Sequence, residues 1–144
     1  MNIKGLILDV DNTLTTHDNP IPLDGVKNWL KEMQSAGIKM MIVSNNSAER
    51  VTPFAEMLGL DFVPNGKKPL SKGFREAVKI MGLHKKQIAV IGDQLFTDIL
   101  GGNLFKIKTI LVTPIELEKK GFLKFKRIIE KPILKHYCNK KERK

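Results

Sequence analysis

Apolar and polar positions along the chain follow two periods, one typical of buried strands and one typical of amphipathic helices. Five apolar runs of strand length predict strands at residues 3–10, 38–43, 61–63, 88–91 and 107–112. Helical spacing of the apolar residues between them predicts helices at residues 22–36, 47–58, 70–81 and 95–100. This alternation predicts an α/β fold, with a doubly wound, parallel, five-stranded Rossmann-like sheet and helices on both faces. We expect one domain over residues 1–144.

Three prolines bear on the predicted helices. Pro53 is expected to kink or split the second helix, because proline removes a backbone donor and its ring clashes with the preceding turn. Pro69 suits the first position of the third helix, where that donor is not needed. Pro132 is expected to end or kink a basic C-terminal helical segment within residues 113–144.

Two aspartates, Asp9 and Asp11, come at the end of the first predicted strand. Side chains at positions i and i+2 of an extended segment point the same way, so both carboxylates are expected to project from the carboxyl end of this strand. Two carboxylates held this close require a cation or a shared proton to balance their repulsion. The arrangement favours a catalytic site.

Further polar residues belong to the same edge of the predicted sheet. Ligands of such sheets bind outside the carboxyl ends of the strands, where the strand order reverses. The residues concerned are Ser44, Asn45 and Asn46 after the second strand, Lys67 and Lys68 before the third helix, and Asp93 and Asp98 after the fourth strand. These residue types suit phosphoryl transfer: one carboxylate attacks phosphorus, and a second protonates the leaving oxygen. Attack by an anion on a phosphate also requires a hard cation such as Mg²⁺ and a lysine.

Four segments of the chain resemble, in order, the motifs of the haloacid dehalogenase (HAD) superfamily of aspartyl-phosphate hydrolases. They are Asp9-Val10-Asp11-Asn12-Thr13, Val43-Ser44-Asn45-Asn46, Lys67-Lys68-Pro69 and Gly92-Asp93-Gln94-Leu95-Phe96-Thr97-Asp98. With Gly101-Gly102-Asn103 and Arg127-Ile128-Ile129-Glu130, the chain is most similar to the YqeG branch, the subclass IIIA phosphatases. That branch is similar to the phosphatidylglycerophosphate phosphatases of mitochondria and plastids. The resemblance covers nearly the whole chain and implies the HAD fold.

The resemblance implies a role for each matching acidic residue. Asp9 would be the nucleophile and a ligand of Mg²⁺. Asp11 would be the general acid and base and would offer its backbone carbonyl to the metal. Asp93 would complete the metal site, and Asp98 would contribute to it through water or from a greater distance.

The other matching residues would contact the substrate or its phosphoryl group. Thr13 would steady the loop that carries Asp11. Ser44 would bond the transferring phosphoryl group, with the Asn45 amide nearby. Lys68 would stabilise the aspartyl phosphate, and Lys67 is the alternative for this role.

Ordinary structural interpretations compete with these roles. Asp93-Gln94 could cap the helix that follows, and Asp98 could be a first-turn carboxylate that interacts with the helix dipole. Ser44 and Asn46 could cap the second helix, with Glu49 completing a capping box. A receiver domain would have the same type of fold, but it would carry its phosphate acceptor after the third strand, where Val63-Pro64-Asn65 contains no acid.

The formal net charge of +10 lies mostly in the C-terminal segment. Residues 113–144 contain 11 Lys and Arg against 4 Asp and Glu, a net of +7, whereas residues 1–112 contain 14 against 11, a net of +3. This asymmetry favours an anionic partner such as a phosphorylated substrate or an acidic lipid. Nucleic acid is not expected, because there is no recognised binding motif. Without a signal-peptide pattern or a membrane-length apolar run, and with the single cysteine Cys138, a cytoplasmic protein is expected.

The short segments between the motifs leave no room for a cap domain. The resemblance associates such open sites with large substrates or with a second subunit that covers the site, so a homo-oligomer is one expectation. In the C-terminal segment an apolar stripe is surrounded by basic residues. The stripe contains Leu117, Phe122, Phe125, Ile128 and Ile129, and the basic residues are Lys119, Lys120, Lys124, Lys126, Arg127 and Lys131. This helix could pack on the sheet or meet the anionic inner face of a membrane.

Motifs, charge and resemblance together predict a Mg²⁺-dependent phosphatase that acts through an aspartyl phosphate, with phosphatidylglycerophosphate as the expected substrate. Two alternatives stay open. One is a phosphatase of a soluble phosphosugar or nucleotide. The other is a non-catalytic module that binds an anionic partner through the basic C-terminal segment.

Overall fold

The computed structural model describes residues 2–17, 19–116 and 121–141, and its centre is a five-stranded parallel sheet. The strands are β1 (Gly5–Leu8), β2 (Lys39–Val43), β3 (Asp61–Val63), β4 (Ile88–Gly92) and β5 (Lys108–Leu111). Their order is β3-β2-β1-β4-β5, and every neighbouring pair is parallel. The predicted doubly wound α/β sheet is therefore confirmed. Within the described residues, the connections between strands contain no cap domain.

Helices cover both faces of the sheet and create two cores. They are α1 (Val26–Ser35), α2 (Ala48–Leu58), α3 (Lys72–Met81), α4 (Leu100–Phe105) and α5 (Gly121–Lys141). Residues of α1 and α2 pack with Leu6 and Leu8 on one face, and residues of α3 and α4 pack with Ile7 on the other. Because successive side chains of a strand point to opposite faces, β1 must be apolar throughout when both faces are covered. This is why the strand reads as a continuous apolar run.

Three predicted helices differ in their bounds from the structure. The helix expected at residues 95–100 is a π-helical turn over Leu95–Ile99 that leads directly into α4. The first helix begins at Val26 rather than Pro22, because Gly25 before it has a φ of 86°, outside the helical region. The third helix begins at Lys72, so the prediction that Pro69 occupies its first position is wrong. Pro69 instead lies in the turn after Lys68, where Leu70 N donates to Lys67 O at 2.8 Å.

Neither proline inside a helix ends it. The second helix continues through Pro53, so it is not split there, and the kink expected at this proline stays a prediction. Burial of Val51, Phe54 and Ala55 on both sides of this proline holds the helix together despite the missing donor. The C-terminal helix α5 likewise continues through Pro132.

The predicted C-terminal stripe is described only in part. Leu117, Lys119 and Lys120 lie outside the described residues, as do the side chains of Phe122, Lys124 and Lys126. The described apolar members Phe125, Ile128 and Ile129 are exposed. Among the described residues, no helix is long and apolar enough to cross a membrane.

Candidate active site

The candidate site lies at the carboxyl edge of the sheet, where the strand order reverses. Asp9 directly follows β1, Ser44 follows β2 and Asp93 follows β4, and these three strands are neighbours. Backbone bonding continues into the loops, because Asp9 N donates to Ile91 O at 3.0 Å. The predicted convergence of these loops is therefore present, at the position where parallel α/β sheets bind ligands.

Lys68 forms two short ion pairs at the centre of this edge. Its Nζ lies 2.6 Å from Asp9 Oδ1 and 2.6 Å from Asp98 Oδ1. Only 2% of the Lys68 side chain is exposed. Asn45 holds the Lys68 backbone, since its Nδ2 donates to Lys68 O at 3.0 Å and its Oδ1 accepts from Lys68 N at 2.7 Å. The loop before α3 therefore delivers a buried ammonium group to two carboxylates.

Three carboxylates lie close enough to share one cation. Asp9, Asp93 and Asp98 each offer one oxygen, and these oxygens lie within 4.8 Å of one another. Thr13 Oγ1 lies between two of them, 3.4 Å from Asp9 Oδ2 and 3.5 Å from Asp93 Oδ1. Carboxylate oxygens are the ligands that hard divalent cations prefer. The cluster therefore fits the divalent-cation site expected from the sequence.

Gly92 allows Asp98 to lie against the end of β4. A Cβ atom at position 92 would lie 2.3 Å from Asp98 Cγ, a distance that no stable packing tolerates. Asp98 is buried, and its Oδ2 accepts from Gln94 N at 3.3 Å while its Oδ1 binds Lys68. The carboxylate thus both bonds the backbone of its own loop and belongs to the acidic cluster.

The pKa values in the cluster follow from burial and from mutual repulsion. Burial, together with the charge of Asp98, raises the pKa of Asp9 to about 7, although Lys68 opposes the rise. Burial also raises the pKa of Asp93 to about 6, and Arg127 opposes that rise. Burial acts to lower the pKa of Lys68, but the charges of Asp9 and Asp98 outweigh it and raise this pKa above its ordinary value. The cluster thus contains more negative charge than its surroundings stabilise, which favours cation binding.

Asp11 lies at the site but outside the three-carboxylate cluster. Its Oδ1 accepts from Arg50 Nη2 at 2.9 Å, and its Oδ2 accepts from Asn46 Nδ2. About 13% of the Asp11 side chain remains exposed, so solvent reaches the carboxylate. The two aspartates that follow β1 therefore have different surroundings: Asp9 lies beside a lysine and two other carboxylates, and Asp11 contacts an arginine and an amide.

Ser44 is buried at the site, whereas Lys67 is exposed to solvent. Ser44 is buried, and its Oγ accepts from Asn46 N at 3.1 Å. Ser47, rather than Ser44 or Asn46, precedes α2 at the N-cap position, so the predicted capping box is absent. Lys67 is exposed and has a φ of 54°, whereas its neighbour Lys68 is buried. Of the two lysines, Lys68 is the one that meets the carboxylates.

Arg127 and Glu130 bring the C-terminal helix to the loop after β4. Arg127 Nη2 donates to Asp93 Oδ2, and Arg127 Nη1 donates to Asp93 O at 2.7 Å. Arg127 Nη1 also donates to Glu130 Oε2 at 3.0 Å, and Leu95 N donates to Glu130 Oε1 at 3.1 Å. The resemblance includes Arg127 and Glu130 but gives them no role at the site, and Arg50 receives none either. Their spacing places Arg127 and Glu130 one helical turn apart, but it does not predict what they contact.

Comparisons with known proteins agree with this geometry. A family model described as haloacid dehalogenase-like hydrolase matches residues 15–105. The chain is 45% identical over 133 residues to "Probable phosphatase YqeG" of Bacillus subtilis (strain 168), covering 92% of this chain and 77% of that protein.

Solved structures have the same fold. A protein from Listeria monocytogenes serotype 4b is 20% identical with a TM-score of 0.66, over 83% of this chain and 85% of that one. A structure from Legionella pneumophila assigned to subfamily III A of the HAD superfamily is 28% identical with a TM-score of 0.51. That match covers 65% of this chain and 57% of the Legionella chain.

Proposed function

The chain belongs to the haloacid dehalogenase-like hydrolases and to their YqeG branch of phosphatases, and on this premise we propose that it hydrolyses a phosphate monoester through an aspartyl phosphate on Asp9. The observation that carries this proposal is the meeting of Asp9, Asp93 and Asp98 around the buried Lys68 at the carboxyl edge of the sheet. An isolated acidic cluster would be weak support. A cluster with a buried lysine, on this fold and in this family, supports phosphoryl transfer, because the lysine can balance the charge of a phosphorylated carboxylate.

Asp9 is the proposed nucleophile. It is the first residue after β1, and its backbone is bonded to β4, so the carboxylate has a defined position at the sheet edge. The Lys68 ammonium, 2.6 Å away, balances its charge and would balance that of the phosphoryl group transferred to it. Ser44, the Asn45 amide and Thr13 are the proposed donors to the phosphoryl oxygens and to the surrounding loop. Lys67, which is exposed, is proposed only as an outer contact to the substrate.

Asp11 is the proposed general acid and base. Its carboxylate is partly accessible to solvent, as a group must be that first protonates a leaving alcohol and then activates water. Arg50 and Asn46 hold this carboxylate at two oxygens, which keeps it apart from Asp9. The two aspartates would then act in sequence rather than compete for one proton.

Asp9, Asp93 and Asp98 would hold the cation, with the Asp11 backbone carbonyl as a further ligand. Phosphatases of this family generally use a divalent metal, and we propose Mg²⁺ because every ligand on offer is an oxygen. When bound, the ion would supply charge neutralisation for an anionic nucleophile and an anionic phosphate.

Phosphatidylglycerophosphate is the substrate that we propose. The resemblance to phosphatases of this lipid supports it, as do the open site and the basic C-terminal segment. We also propose that residues 1–144 act as one domain, with the C-terminal helix at the inner face of the membrane. The exposed Phe125, Ile128 and Ile129, with the exposed Lys131 and Lys135, suit an interfacial helix, each basic residue contributing about 1 kcal/mol near an anionic surface. A homo-oligomer stays a prediction, testable by light scattering.

Phosphate release from a panel of substrates tests the enzymatic proposal. The panel contains phosphatidylglycerophosphate in mixed micelles, sugar phosphates and nucleotides, each with MgCl₂ or with EDTA. We expect Mg²⁺-dependent release from the lipid and no release by Asp9→Asn. Phosphate release from a soluble ester but not from the lipid would refute the proposed substrate. Phosphate release by Asp9→Asn would refute the proposed nucleophile.

Sedimentation with vesicles tests the membrane proposal separately. Anionic vesicles should retain the wild type, and Lys131→Gln/Lys135→Gln should weaken retention. The matched control is Lys27→Gln/Lys31→Gln, which removes two exposed charges from α1. Equal loss in both double variants would mean that the C-terminal helix has no special part in binding.

A further inference from the structure

The C-terminal helix α5 reaches the acidic cluster through a chain of polar contacts. Glu130 accepts from Leu95 N and from Arg127, and Arg127 donates to both the carboxylate and the carbonyl of Asp93. Asp93 directly follows β4, and Leu95 is the first residue of the π-helical turn that comes next. The two α5 side chains therefore contact this segment at two residues, Asp93 and Leu95.

The burial of Glu130 indicates that its contacts are a fixed part of the fold rather than a chance meeting of surface side chains. Glu130 is 2% exposed, and glutamate is almost never buried unless it is paired. Among the described side chains of α5, Glu130 is the one that is buried, whereas Phe125 and Ile128 are exposed. The side of the helix that meets the loop is therefore polar at this point, and its contacts are directed at Asp93.

We propose that Arg127 is a positioning residue for Asp93, oriented by Glu130, and that α5 is thereby part of the cation site. This inference rests on the divalent-cation site of the proposed function. Arg127 holds Asp93 Oδ2, which leaves Oδ1, the oxygen nearest Thr13, directed toward the cluster. A planar guanidinium holds a carboxylate oxygen, a carbonyl and a second carboxylate in one fixed geometry, which the rotatable ammonium group of a lysine does not impose.

Charge repulsion from Arg127 does not outweigh this positioning. A lone guanidinium beside a cation ligand would disfavour a divalent ion. Here Glu130 lies 3.0 Å from Arg127 Nη1, so the pair adds no net charge to the site. What remains is the orientation of Asp93, and hydrogen-bond partners that orient metal ligands typically contribute about 10- to 100-fold to metal affinity.

Calorimetric titration with MgCl₂ tests the proposal without relying on activity. Arg127→Gln/Glu130→Gln removes the pair without changing the net charge, and we expect its Mg²⁺ affinity to be about 10- to 100-fold lower than that of the wild type. The Mg²⁺-induced rise in melting temperature should shrink in parallel. Lys31→Gln/Glu32→Gln, an exposed pair of opposite charges on α1, is the matched control and should bind as the wild type does.

Arg127→Lys is a second test variant, which can be measured even if the double variant does not fold. It keeps the charge but not the three contacts of the fork, so we expect an intermediate loss of affinity. Wild-type affinity, within twofold, in the double variant or in Arg127→Lys would overturn the positioning role while leaving the proposed function intact. If the wild type itself bound no divalent cation, the proposed cation site would be refuted and this inference with it.

Discussion

Replacing Lys68 by methionine keeps most of the side-chain volume and removes the ammonium group that contacts Asp9 and Asp98. Both contacts are 2.6 Å long, and the lysine side chain is only 2% exposed. Removing one partner of a buried ion pair costs about 3–5 kcal/mol, because the other partner stays buried without compensation. In Lys68→Met two carboxylates are left in this state. We therefore expect the free energy of unfolding to fall by about 3–5 kcal/mol at pH 8 in the absence of metal.

The pH dependence of this loss has a definite sign. Burial, with the charge of Asp98, raises the pKa of Asp9 to about 7, and Lys68 opposes the rise. A group with a raised pKa contributes stability that is fully present below its unfolded pKa, about 4 for aspartate, and lost as the pH rises through the folded pKa. Without Lys68 the pKa of Asp9 rises further, so that more stability is lost on the way to pH 8. The variant should therefore approach the wild type at pH 5 and fall well below it at pH 8.

Urea unfolding at pH 5 and pH 8, with EDTA in both buffers, measures this difference. Lys67→Met is the matched control, because it removes the exposed neighbouring lysine and should leave stability within about 0.5 kcal/mol of the wild type. A loss below about 1 kcal/mol for Lys68→Met at pH 8, or the same loss at both pH values, would refute the reasoning.

Three further predictions follow from other contacts. Gly92→Ala should lower the free energy of unfolding by about 1–3 kcal/mol in urea and reduce turnover, because the new Cβ would displace Asp98; wild-type values in both would contradict this. Arg50→Gln should reduce kcat about tenfold, because it releases Asp11 and so removes part of the rate enhancement that acid–base catalysis supplies. The free energy of unfolding should change by less than about 1 kcal/mol, because the Arg50–Asp11 pair is partly exposed. MgCl₂ at 100 times its Kd should stabilise the wild type by about 2.7 kcal/mol in thermal unfolding, and Asp93→Asn should lose this effect.

The sheet could be predicted from the sequence because each strand is marked by a local run of apolar residues. Apolar runs such as the one within residues 3–10 are nearly continuous when helices cover both faces, and the core contacts of Leu6, Ile7 and Leu8 follow from that. The convergence of Asp9, Ser44 and Asp93 was predictable for a related reason, since parallel strands bring their carboxyl ends to one edge. Lys68 was predictable only through the resemblance, because nothing local distinguishes it from Lys67.

Other parts of the site depend on contacts that carry no local signal. Arg127 and Asp93 are 34 residues apart, and whether a basic residue of an amphipathic helix faces solvent or a carboxylate depends on how that helix docks. The same holds for Arg50, which reads as one more charge on α2. The helical start expected at Pro69 was wrong because the loop that buries Lys68 takes a turn there instead.

Trapping the covalent intermediate tests the central claim most directly. The wild type would be mixed with its best substrate from the panel, quenched in acid within the first turnover, digested, and analysed by peptide mass spectrometry. We expect one phosphoryl group on the peptide that contains Asp9, located on that residue by fragmentation and absent from Asp9→Asn. An adduct on a different residue, or turnover with no covalent adduct at any quench time, would contradict it.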